Sequence, residues 1–119
     1  MTDLIWRPQP SLAKLEAGDA RYVELFTRGS LSLELYAPRG HDPQSPHDQD
    51  ELYVVQQGTG TFRRADETCQ FAAGDVLFVP AGVEHRFEDF SDDLCVWVIF
   101  YGPKGGELPA EGSAAPDRA

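Results

Sequence analysis

The sequence predicts an all-β fold, a sandwich or barrel built as one domain. Three observations carry that expectation. Short segments rich in β-formers recur through the middle of the chain, Gly, Pro and Asp turns separate them, and no helix-period segment of useful length interrupts them. At 119 residues the chain is long enough for one core, since folding at this size removes roughly two-thirds of the unfolded surface from water.

Taken in order, residues 1–20 read as an N-terminal arm. It carries two prolines and a weak helical patch from Ser11 to Ala17, with Ser11 as the candidate cap and Gly18 as the stop. Residues 21–104 read as the barrel domain. Tyr22 to Arg28 is rich in β-formers, and Ser30 to Tyr36 alternates, with Leu31, Leu33 and Leu35 on one face and Ser32 and Glu34 on the other. Leu52 to Gln56 is the next run. Thr59-Gly60 and Ala73-Gly74 punctuate shorter ones over Thr61 to Arg64 and Thr68 to Phe71. Val76 to Val79 ends at Pro80, Glu84 to Phe90 follows Ala81-Gly82, and Leu94 to Tyr101 closes the series. Residues 105–119 are rich in Gly, Pro and Ala, have little apolar area to bury, and are expected to form a mobile tail.

Charge narrows the function. Twenty acidic residues against ten basic ones leave a net charge of −10. Nucleic acid and anionic membrane both call for a basic footprint, so neither is an expected partner. No apolar run approaches the length of a membrane-spanning helix. The first residues show no basic region followed by an apolar one, so a cytoplasmic location is expected, with Cys69 and Cys95 as free thiols.

Two of the three histidines stand in a recognisable frame. One segment runs Ser45-Pro46-His47-Asp48-Gln49-Asp50-Glu51 and reaches Gly58; the other runs from Gly74 through Pro80-Ala81-Gly82 to His85 and Asp89. Here the chain resembles the cupin superfamily, in particular its small single-domain type-2 barrels. The second family motif, G-x5-P-x-G-x2-H-x3-N, is met at Gly74, Pro80, Gly82 and His85, with Asp89 in place of Asn. The first, G-x5-H-x-H-x3,4-E-x6-G, is met at His47, Glu51 and Gly58, but Ser45 stands where the first His belongs and Arg39 where the leading Gly belongs.

The resemblance implies a double-stranded jelly-roll β-barrel, commonly a homodimer, with a divalent transition-metal ion (Fe, Mn, Zn, Ni or Cu) held by His47, Glu51 and His85. Two imidazoles and a carboxylate form a facial set that leaves coordination positions open. Strand alternation would put residues 47, 51, 53 and 55 on one face. Gln49, sharing that parity, is then a candidate fourth donor, ahead of Gln44; His41 is a further substitute. Taken singly, His47 beside Asp48 and Asp50 also fits a surface loop, and His85 between Glu84 and Arg86 a solvated strand. Three functions follow from the resemblance. They are a metal-dependent oxygenase, isomerase or decarboxylase acting on a small organic molecule in the barrel; a non-catalytic small-molecule binder; and a metal-free structural cupin.

Overall fold

The computed structural model describes residues 4–108. Among them the chain forms one helix and eight strands: α1 (Pro8–Glu16), β1 (Tyr22–Arg28), β2 (Leu31–Tyr36), β3 (Asp50–Gln57), β4 (Gly60–Arg64), β5 (Glu67–Phe71), β6 (Val76–Val79), β7 (His85–Glu88) and β8 (Cys95–Tyr101). Two antiparallel sheets result, one ordered β1-β2-β8-β3-β6 and the other β5-β4-β7. They face each other as the two leaves of a jelly roll, the architecture expected. No described helix is long and apolar enough to cross a membrane.

Period-two alternation aims one residue set from each strand into the space between the leaves. The large sheet contributes Tyr36, Tyr53, Val55, Leu77, Val79, Val96 and Val98, and the small sheet Phe62, Phe71 and Phe87. These aromatic rings meet edge-on or tilted; Tyr53 and Phe87, for example, lie 4.9 Å apart at 66°.

On β2 the inward set is the polar one. Tyr36 lies in the core and Glu34 beside it borders a cavity, while Leu35 faces outward under α1 with Leu15 and Cys95. The outer face of the large sheet is therefore apolar too, and α1 covers one end of it.

The helix starts earlier than the sequence suggests. Pro8 sits in its first turn, where its missing N–H costs nothing, and Arg7 is the N-cap. Ser11 is not the cap; it is buried inside the helix.

Gly58 shows why one motif position admits only glycine. Its φ is +100°, and a Cβ there would sit 2.7 Å from the Leu94 Cα. Asp89, at the other motif's end, has φ 47°, a left-handed conformation that Asn and Asp tolerate best among side-chain-bearing residues.

Where the tail was expected to begin, the chain is still pinned. Gly105 N–H donates to the Asp48 carbonyl at 2.7 Å, and Glu107 N–H donates to Asp50 Oδ2 at 2.8 Å. Residues 109–119 of the expected tail, and residues 1–3 of the arm, lie outside the described residues.

Candidate metal centre

Glu51 is the second residue of β3, and alternation turns it inward with Tyr53 and Val55; all three are at most 2 % exposed. The opposite leaf supplies His85 as the first residue of β7. Two hydrogen bonds shape the Pro80-Ala81-Gly82 turn that delivers it. Ala81 N–H donates to the buried Asp50 Oδ1 at 2.9 Å, and Gly82 N–H donates to the His47 carbonyl at 2.7 Å. Those bonds tie the turn to the segment that carries His47 and Glu51, so the three side chains are brought together by the turn's backbone N–H groups, one held by a carboxylate and one by a carbonyl.

Ligating atoms of His47, Glu51 and His85 all lie within 4.8 Å of one another. His47 Nδ1 is 3.2 Å and His85 Nε2 3.3 Å from the same oxygen, Glu51 Oε1. The other carboxylate oxygen, Oε2, is buried without a hydrogen-bond partner. His85 Nδ1 lies 3.0 Å from the Val83 carbonyl, which can only accept, so Nδ1 carries a proton and Nε2 is the nitrogen that faces the cluster. Tyr53 OH stands 3.0 Å from that nitrogen but donates to Gln44 Oε1 at 2.9 Å. Two imidazole nitrogens and one carboxylate oxygen thus converge on one point, while the sister oxygen finds no donor. An anionic carboxylate oxygen in that position is costly to bury unless a cation meets it. The residues present fit a divalent ion.

The hydrogen bond to Glu51 holds the His47 pKa above its ordinary value. Burial works against it, and the charges of Glu51, Glu34 and Asp42 add to it. Burial pushes the Tyr53 phenol up, with the Glu51 charge adding, so it stays protonated. Glu34 is pushed up from 4.5 to about 7 by burial, then by the charges of Glu24 and Glu51, with His47 pulling the other way.

A cavity of about 250 Å³ opens beside the cluster, with Glu34, Tyr36, Gln44, Val98 and Phe100 on its wall. His47 is the partly exposed member of the triad, its side chain 32 % accessible, so the approach to the cluster runs past it.

Some sequence expectations fail here. Gln49 is not a donor to the site: β3 begins only at Asp50, so strand parity does not extend back to it. Its amide instead donates to the carbonyls of Ser30 (2.8 Å) and Gly102 (3.0 Å). His41 is exposed, with its Nδ1 3.5 Å from Arg21, and does not join the cluster. Ser45 is exposed, and Gln44 is the residue of that loop that lines the cavity. Cys69 and Cys95 are free; burial raises the Cys95 thiol to about 11 and keeps it unreactive.

Asp42 was not singled out from the sequence, yet it organises the loop. It is 2 % exposed and accepts from Tyr36 OH (2.6 Å), Gln44 N–H (3.2 Å), Gln44 Nε2 (2.8 Å) and Phe87 N–H (2.9 Å). Asp-Pro marks a turn, but a partner 45 residues away leaves no local signature.

Residues 32–101 match the family described as the cupin domain (Cupin_2). An uncharacterised protein of Streptomyces coelicolor is 40 % identical over 94 residues, covering 77 % of this chain and 90 % of its own. The HTH-type transcriptional activator RhaS of Shigella sonnei is 31 % identical over 81 residues; the match covers 66 % of this chain but only 29 % of the activator. Among solved structures, a Cupin 2 conserved barrel domain protein from Salinispora arenicola superposes with a TM-score of 0.63 at 16 % identity, over 85 % of this chain and 91 % of that one. At that identity the likeness speaks for the fold alone.

Proposed function

Since the chain belongs to the cupin domain family, we propose that it holds a divalent transition-metal ion through His47, Glu51 and His85 and acts on a small organic molecule bound beside it. One observation carries this reading: Glu51 Oε2 is buried without a partner while two imidazole nitrogens converge on its sister oxygen. Such an ion supplies Lewis-acid polarisation or oxygen activation, and oxygenase, isomerase or decarboxylase chemistry would follow from it. The chain's own residues do the rest. Glu51 brings the single negative charge of the ligand set. The Val83 carbonyl fixes the His85 tautomer, as an outer partner does for a ligating imidazole. Val98 and Phe100 make the cavity wall apolar on one side and limit water there.

The net charge of −10 favours a small molecule over nucleic acid or anionic membrane as partner. Free Cys69 and Cys95 suit the cytoplasm. The edge strand β1, with Leu4, Ile5 and Tyr22 exposed near it in the chain, favours a homodimer.

A second reading, a binding module without turnover, is favoured by the likeness to part of a transcriptional activator. Elemental analysis of the purified chain tests the first. About one ion per chain is expected in the wild type and little in His85→Ala, because a three-residue set cannot spare a ligand. Equal content in both proteins would overturn the assignment. Glu51→Gln separates the two readings: turnover on a candidate substrate should vanish with the charge, whereas a binder relying on cavity shape should keep its ligand.

A further inference from the structure

The outer face of the five-stranded sheet is apolar and only partly covered. Strand register lays Leu33, Ile99, Leu52 and Phe78 side by side across β2, β8, β3 and β6. Trp97, Val54 and Val76 form the next row, continuing from Leu35, which α1 covers. Neither row holds a charged residue. The arm lays Leu4 and Ile5 against this face without sealing it; Leu4 is 81 % and Ile5 55 % exposed. At the far edge Val76 is 60 % and Phe78 41 % exposed. A large free side chain offers roughly 150–250 Å², so these four and Leu31 leave about 500 Å² of apolar surface bare, and the half-buried members of the rows bring it to about 700 Å². That exceeds the roughly 300–600 Å² of the largest apolar patch on a typical monomer.

We infer that this face is the contact between two copies of the chain, packed sheet on sheet about a two-fold axis. This assignment rests on the homodimer reading above and names the surface that makes it, the sheet face and not the β1 edge. Three observations select a second copy as the occupant. Each chain carries a net charge of −10, so two copies repel through any acidic surface, and a contact between them calls for a face free of carboxylates. A two-fold contact sets a patch against itself, and rows of uncharged side chains meet that condition where charged ones do not. Burying the face on both copies removes about 1,400 Å², above the roughly 1,000 Å² that a specific interface needs. The pairing leaves the metal centre free. Glu51 and Tyr53 alternate with Leu52 and Val54 along β3, so the cluster and its cavity lie on the other side of the sheet from the contact.

Sedimentation equilibrium of the full chain from about 1 to about 100 μM should show a closed dimer and no larger species. Val76→Glu and Phe78→Glu should each raise the dimer Kd at least about tenfold, since each puts like charges into an apolar contact, and the double variant should be a monomer. Both positions are exposed in the single chain, so folding should survive, which circular dichroism checks. Val76→Thr and Phe78→Ser remove apolar area without adding charge and serve should a glutamate variant fold poorly; each should raise Kd at least about threefold. Raising salt from about 50 mM to about 500 mM should tighten the wild-type dimer by screening the repulsion, whereas a dimer held by ion pairs would loosen. Hydrogen exchange at the two ends of the concentration range should leave the β1 edge amides unchanged. A wild-type chain that stays monomeric throughout overturns this inference and the homodimer reading together. A dimer that keeps its Kd in the face variants, loosens with salt, grows into larger assemblies or protects the β1 edge on association defeats this inference alone.

Discussion

Glu34 carries a stability cost that Glu34→Gln should remove. Burial and the charges of Glu24 and Glu51 raise its pKa from 4.5 to about 7, His47 opposing them. The native state therefore keeps this proton to higher pH than the unfolded chain. Below the unfolded value both states are protonated and the site contributes nothing. As pH rises from 4.5 to about 7 the unfolded chain releases its proton first, so native stability falls; above about 7 the full cost persists. A tenfold change in proton affinity is worth about 1.4 kcal/mol, which sets a ceiling of about 3 kcal/mol. The carboxyl is only partly buried, and solvent screening brings the expectation to about 1–2 kcal/mol. Gln keeps the shape and never ionises. Urea denaturation of both proteins with chelator present, at pH 4.5 and pH 8, should show a gap of no more than about 0.5 kcal/mol at the lower pH, where the unfolded carboxyl is half ionised. At pH 8 the variant should be more stable by about 1–2 kcal/mol. Replacing chelator with excess divalent ion should shrink the gap, because a positive charge at Glu51 offsets the repulsion on Glu34. An equal gap at both pH values, or a less stable variant at pH 8, would refute the reasoning.

Gln44→His should tighten metal binding in a competition titration and Ser45→His should not, because Gln44 lines the cavity while Ser45 is exposed. Gly58→Ala should cost at least about 2 kcal/mol in denaturant midpoint, since a left-handed φ and a backbone clash with Leu94 act together.

Most strands were legible to within a residue or two because the alternation is regular and Gly, Pro and Asp mark the turns. β1 and β6 fall where the sequence puts them. The triad was legible because its spacing frames two motifs; strand geometry places Glu51 and His85, whereas His47 precedes β3, outside the reach of strand parity, and its segment is tied to the Gly82 turn by a backbone hydrogen bond. What failed was local inference carried past an element's end. Gln49 shares parity with Glu51, but β3 begins between them, and the side chain satisfies two carbonyls instead. Leu31, Leu33 and Leu35 look like a core face, yet on a sheet apolar on both sides periodicity cannot say which side points in. Here the leucines face outward and Glu34 borders the cavity. Ser11 resembles a cap because it precedes an apolar pair, but Pro8 already starts the helix a turn earlier. The role of Asp42 depends on β7, far along the chain, and no window of residues around it contains that information.

Asp42 joins Tyr36 on one leaf to Phe87 on the other through a carboxylate that accepts from both. The closure of the barrel thus has a clasp that needs no ion. A fold that depends on its metal for closure loses its structure with any ligand, and each ligand is then held in place by selection on folding itself. A barrel with its own clasp is released from that constraint. Ligand positions can drift one at a time, paid for in binding and not in structure, and Ser45 stands at a position where such drift would leave the rest of the chain intact.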